Sequence, residues 1–157
     1  MKRDTVKYAH GLSRIWVHMS FKAKYCHPIF DFKEIREECQ NIIRNVSDTK
    51  NIEIYTIGFD NNHLHLITDL GKYSEPNLRK LFKGTTGKKL LEKFSWLKQK
   101  FFWGSGLWGR QYYCYSIGSD IRVLNKYVQK QKFFTAMHHP DQMTLESFHT
   151  TSLWLVV

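Results

Sequence analysis

The spacing of apolar residues along this chain switches repeatedly between a period of two and one of about 3.6, and the order of those switches leaves few folds open. Residues 12–22 alternate, with Ile15, Val17, Met19 and Phe21 on one side and Arg14, Trp16, His18 and Ser20 on the other. That alternation is the pattern of a half-buried strand. Asp31 then opens a predicted helix, with Glu34 three residues on in capping-box spacing. Phe32, Ile35, Cys39, Ile42, Ile43 and Val46 keep one apolar stripe to about residue 47. Strands are expected over 51–59 and 62–69, joined by Asp60-Asn61-Asn62, whose residues favour a tight hairpin. Ser74 and Pro76 start a second helix carrying Leu78, Leu81 and Phe82, which Gly84 and Gly87 are expected to interrupt before it resumes through Leu90, Leu91 and Phe94. Gly104, Gly106 and Gly109 mark a loop over 101–109, and a tyrosine-rich strand follows at about 110–117. Asp120 caps a last long helix, with Ile121, Leu124 and Val128 facing inward.

The order strand, helix, strand, strand, helix, strand, helix predicts an α+β fold. It is ferredoxin-like: one antiparallel sheet with helices on one face, plus an extra C-terminal helix. A chain of 157 residues suits one domain, 1–157, and neither repeats nor a linker divide it. Residues 136–157 form a tail of no assigned role. Apolar runs are short and no secretory h-region follows Met1-Lys2-Arg3-Asp4, so the expectation is a protein with no membrane partner. Cys26, Cys39 and Cys114 are scattered and odd in number, which reads as three reduced thiols of an intracellular protein.

Charge narrows the function. Twenty-four Lys and Arg against fourteen Asp and Glu leave +10, a balance suited to a polyanion. Between Glu75 and Asp120 the only acid is Glu92, while basic residues from Arg79 to Arg110 are interleaved with Phe82, Phe94, Trp96, Phe101, Phe102, Trp103 and Trp108. Cations for phosphate beside rings for unstacked bases suit single-stranded nucleic acid. A solvated helix face beside ordinary core aromatics fits the same composition.

Two short segments carry candidate chemistry. In Asn62-His63-Leu64-His65-Leu66-Ile67, strand geometry sends both imidazoles to one face and Leu64 and Leu66 to the core. Such a pair can hold one divalent metal, and it equally suits two partly exposed strand histidines. In Lys126-Tyr127-Val128-Gln129-Lys130-Gln131, Tyr127 and Gln131 are four apart and share a helical face distinct from the core stripe. A phenol near a metal can attack a phosphodiester, and Gln131 offers an oxygen ligand one turn on. Nitrogen and oxygen donors beside phosphate suit Mg²⁺ or Mn²⁺.

At this point the chain resembles the small single-tyrosine HUH transposases, the TnpA type of minimal insertion sequences that move as single-stranded DNA, which are related to the REP-associated tyrosine transposases. His63-Leu64-His65 matches the His-hydrophobic-His motif, and "LRKLFKGTTGKKLLEKF", "LWGRQYY" and "KYVQKQ" follow in the expected order, over roughly residues 10–132. The resemblance implies that His63, His65 and Gln131 ligate the metal. It implies that Tyr127 cuts single-stranded DNA to leave a 5′-phosphotyrosine and a free 3′-hydroxyl. It also implies a homodimer with active sites shared in trans, recognition of hairpin-containing element ends, and a cytoplasmic, nucleoid-associated prokaryotic protein. Arg79, Lys83, Lys88 and Arg110 are placed along the DNA path.

Two features depart from the family. Many relatives carry an acid directly before the first histidine, where Asn61-Asn62 stand here, so Asn62 can orient an imidazole only as a neutral amide. The tail beyond 136 is also unmatched. His10, His18, His27, His138, His139 and His149 have no family role and are expected at the surface or in the core. A domesticated HUH endonuclease would share the chemistry without mobility. The reading from a different class is a non-catalytic single-stranded DNA or RNA-binding ferredoxin-like module, with Tyr55 and Phe59 as stacking residues.

Overall fold

A computed structural model describes residues 6–8, 11–13, 15–116, 126, 129–130 and 133–135. A small antiparallel pair comes first, β1 (Val6–Tyr8) and β2 (Gly11–Ser13). The main sheet holds β3 (Trp16–Ala23), β4 (Ile54–Phe59), β5 (His63–Asp69), β6 (Trp108–Ser116) and the short β7 (Phe133–Thr135). Their order is β6-β3-β5-β4-β7, and every neighbouring pair is antiparallel. Helix α1 (Lys33–Lys50) joins β3 to β4, and α2 (Glu75–Lys93) joins β5 to β6. A single turn α3 (Ser95–Leu97) and a π-helical turn (Lys98–Phe102) complete the second crossover. Without β7 this is the predicted ferredoxin-like sheet, in which each helix carries the chain over the same face. The predicted last helix lies outside the described residues except for Lys126 and Gln129, which are helical, and Lys130.

The core lies between sheet and helices. Val17, Met19, Phe21 and Ala23 of β3, Ile57 and Phe59 of β4, and Leu64 and Leu66 of β5 meet Ile35, Cys39, Ile42 and Ile43 of α1 and Leu78, Phe82 and Leu90 of α2. Side chains at odd positions of β3 and even positions of β5 are therefore committed to the core. The opposite set, including His18, His63 and His65, is left on the other sheet face.

Several local expectations are corrected. The alternating stretch 12–22 is two strands. Ile15, predicted on the core side, is exposed, and its N–H donates to Asp69 Oδ1 at 2.9 Å in place of a ladder partner. Helix α1 starts at Lys33, with Phe32 at the N-cap and no side-chain cap bond there. Asp31 belongs to a preceding 3₁₀ turn, whose Phe30 and Asp31 carbonyls accept from Arg36 Nη1. The capping box therefore does not form, because the backbone is held from inside the helix. Asn51 ends α1 in the left-handed region, φ 54°, and its N–H returns to Asp48 and Ser47.

Helix α2 runs unbroken through both glycines, capped by Ser74 Oγ, which accepts from the Asn77 N–H. Gly87 is a packing position. A Cβ there would sit 3.4 Å from Trp108 Cδ1, and the same indole donates through Nε1 to Thr86 Oγ1 at 2.9 Å. Thus Gly87 lies directly under the Trp108 indole, where β6 packs against α2. Gly84 is different, since a Cβ there meets nothing within 4 Å and the residue is exposed. Replacing it costs no contact and removes the entropic penalty of glycine in a helix. Gly84→Ala is expected to raise stability by about 0.5–1 kcal/mol in urea denaturation, and a destabilised variant would contradict this packing.

Candidate functional site

The register of the sheet assembles the site. Ser20 of β3 is directly opposite His65, which in turn faces Gly58 of β4, and Lys22 is opposite His63. Small residues on both sides of His65 keep its row clear. The two imidazoles share a face as predicted, with ring centroids 5.8 Å apart and planes inclined by 26°. His65 is almost fully buried and His63 partly so.

His18, to which the sequence reading gave no role, belongs to the same cluster. It stands one strand away on the same face, with Nε2 3.2 Å from His65 Nδ1 and the rings nearly parallel. One ring must donate and the other accept, so this contact couples the tautomer of His65 to that of His18. The signal was available only as parity, since His18 and Ser20 fall on the polar side of the alternation, and pairing register is not visible in a single strand.

Burial sets the charge state. It lowers His65 to about 3, assisted by the charges of His18 and His63, and lowers His18 to about 4. His63 is lowered by burial and then by the Lys22 ammonium. The Asp60 carboxylate opposes the shift at both His63 and His65. All three imidazoles are neutral at pH 7, the form in which histidine ligates metals. His63 Nδ1 is buried and makes no hydrogen bond, which is the state of a nitrogen awaiting a ligand or proton. The donor set thus fits a divalent cation at His63 and His65. No cluster of three His, Cys, Asp or Glu groups suited to a metal occurs among the described residues, so the pair needs a donor from elsewhere.

Asn62 does not replace the missing family acid at the ring. Its Nδ2 donates to Cys26 O, and its Oδ1 is buried without a partner. Asp60, in the same turn, is the acid whose field reaches both rings. Tyr127 and Gln131 lie outside the described residues.

The four basic residues placed on the DNA path divide. Arg79 lies 3.8 Å over the Tyr112 ring, and Lys83 Nζ donates to Gly109 O at 2.6 Å. Both side chains fasten α2 to β6 on the helical side of the sheet, away from the histidines. Lys88 is exposed and faces Glu92 one helical turn on, at 4.0 Å. Arg110 is exposed where the β3–β6 register shifts, between the pairs Phe21↔Tyr112 and Ala23↔Trp108. Arg79 and Lys83 are thus held apart from the imidazoles, whereas Arg110 lies in the β6 bulge beside Lys22, whose partner on the other side is His63. The stacking pair proposed for a binding module also changes, because Phe59 is core and Tyr55 packs edge-on against Trp16.

Cys26, Cys39 and Cys114 are free, as expected. Among the described residues no helix is long and apolar enough to cross a membrane.

Comparison with known proteins agrees with this architecture. The family model described as "Transposase IS200 like" matches residues 12–131, most of the chain. A solved structure assigned as a transposase from Deinococcus radiodurans R1 is similar in fold, with TM-score 0.64 and 21% identity, covering 80% of this chain and 96% of that one. No curated protein matches the chain.

The depressed imidazoles make the fold acid-sensitive. Below pH 6.5 the unfolded chain takes up protons that buried His18 and His65 refuse, so their contribution is intact above 6.5 and is lost as pH falls towards 4. Stability is expected to drop by up to about 1.4 kcal/mol per pH unit for each ring across that window. Urea midpoints measured from pH 7 to 4.5 check this, and a His18→Gln variant is expected to flatten the curve. An equally steep curve in that variant would contradict the assignment.

Proposed function

Because the chain belongs to the family of IS200-like transposases, we propose that it cuts and rejoins single-stranded DNA at the ends of an insertion sequence through a transient 5′-phosphotyrosine. The observation that supports this most directly is the pair of neutral imidazoles, His63 and His65, on one sheet face, with His18 in hydrogen-bond contact with the second. The family resemblance supplies the remaining groups, Tyr127 as nucleophile and Gln131 as a third ligand. Mg²⁺ or Mn²⁺ held by His63, His65 and Gln131 would polarise the phosphoryl oxygens of the scissile phosphate.

The chain's own part is to place the phenol oxygen in line with the phosphorus. That oxygen loses its proton and bonds to phosphorus. The P–O3′ bond breaks, and the departing 3′-oxygen takes up a proton. Attack by a different 3′-hydroxyl reverses the step and joins two strands, so the phosphodiester energy is conserved and no nucleotide cofactor is consumed. His18 acts here as a positioning residue, since it touches His65 and not the reacting atoms. The partners in this reading are hairpin-containing single strands and a second copy of the chain, with Tyr127 of one subunit completing the other's histidine site. The exposed Lys88 and Arg110 are free of the packing duties that occupy Arg79 and Lys83, and are the better placed of the four for strand contact.

A labelled single strand from an element end, incubated with Mn²⁺ and run on a denaturing gel, is expected to yield a covalent protein–DNA band. EDTA or Tyr127→Phe is expected to abolish the band while leaving strand binding within about twofold, because only one oxygen is removed. Mixing Tyr127→Phe with His63→Ala subunits is expected to restore the band if sites are shared. A full-strength band from Tyr127→Phe would overturn the nucleophile, and binding without any band in the wild type would favour a non-catalytic module.

A further inference from the structure

Two tyrosines on β6, the outer strand of the sheet among the described residues, have no part in the chemistry above. Tyr113 and Tyr115 of β6 are each more than half exposed, at 57% and 56%. Their rings are parallel to within 8°, with centroids 6.5 Å apart. The intervening Cys114 and the preceding Tyr112 pack towards the core, so the pair projects from the opposite face. Two adjacent exposed rings, which the strand repeat sets side by side, present a small aromatic patch of the kind on which unpaired bases stack.

Register ties the pair to the site. Tyr113 is opposite Ser20, which on its other side is opposite His65, and Tyr115 is opposite His18. Tyr113 and His65 therefore occupy one row, two strands apart, at a backbone distance of about 10 Å. Ser20 between them is small. Lys22, in register with His63, adds a positive charge that the His63 ring already senses. The surface thus runs from two rings, past a small residue, to neutral imidazoles beside a cation. Unpaired bases and the phosphates that join them have that combination of flat faces and negative charge.

We propose that Tyr113 and Tyr115 form a stacking ledge for unpaired bases of the DNA strand, within about three nucleotides of the phosphate held at His63 and His65. This rests on the single-strand reading above and adds a contact that sets which stretch of DNA can lie at the histidines. Stacking of this kind tolerates any base, so the ledge selects unpaired over paired DNA and does not read a sequence.

The test compares dT16 with an abasic strand of the same length and phosphate number, both fluorescein-labelled, by anisotropy in EDTA. The wild type is expected to prefer dT16 by roughly fivefold to a hundredfold. Tyr113→Ala/Tyr115→Ala is expected to lose that preference with unchanged affinity for the abasic strand, and Tyr113→Phe/Tyr115→Phe is expected to keep it. A preference retained by the alanine variant, or absent from a wild type that binds both strands, would overturn the ledge while leaving the single-strand reading intact. A wild type that binds neither strand would overturn both. Light scattering on the same samples gives a further check. Loss of affinity accompanied by dissociation into smaller species would assign these rings to contact between subunits and overturn the ledge.

Discussion

The pairing of β3 with β5 is the contact on which the rest of this molecule depends. Its register places Phe21 against Leu64 and Met19 against Leu66 on one face, and Ser20 against His65 on the other. A slip of one residue would send the histidines into the core and the leucines into water. Burial of Met19, Phe21, Leu64 and Leu66, all at 0% exposure, therefore holds the imidazoles in place. Core packing and site geometry are two faces of one register.

The second constraint is electrostatic. His65 lies between His18 and His63 and cannot share a positive charge with either at low cost, and burial makes any proton on His18 or His65 more expensive still. The cluster is neutral because of where the backbone puts it. Asp60 pulls the other way, so its carboxylate tempers the shift at His63 and His65 without reversing it. A neutral ring held by a neighbouring histidine is in the protonation state that metal ligation requires.

Much of this was legible in the sequence, for identifiable reasons. Strand period alone sends His63 and His65 to one face with Leu64 and Leu66 behind them, and the order of periods gives the ferredoxin-like sheet. His18 was not legible as part of the site, because its partner is 47 positions away and only the inter-strand register brings them together. Gly84 and Gly87 were misread as an interruption because glycine lowers helix propensity by only about 1 kcal/mol, which the packing of Leu78, Phe82 and Leu90 on the same helix outweighs. The packing roles within the basic stretch were hidden for a similar reason. Charge density does not reveal that the Lys83 ammonium is used on a carbonyl of β6, or that Arg79 is used on Tyr112. Exposure of Tyr113 and Tyr115, and burial of Phe59, depend likewise on which face each strand presents.

The proposed chemistry requires that the histidine pair bind a divalent cation. Titrating Mn²⁺ into the protein at pH 7 and following the histidine ring resonances by NMR tests it directly, because the paramagnetic ion broadens only nuclei close to it. The rings of His63 and His65 are expected to broaden at substoichiometric Mn²⁺, with His18 next and His27 unaffected at the same concentration. Uniform weak broadening of all the histidines, or selective broadening elsewhere with His63 and His65 still sharp, would contradict it.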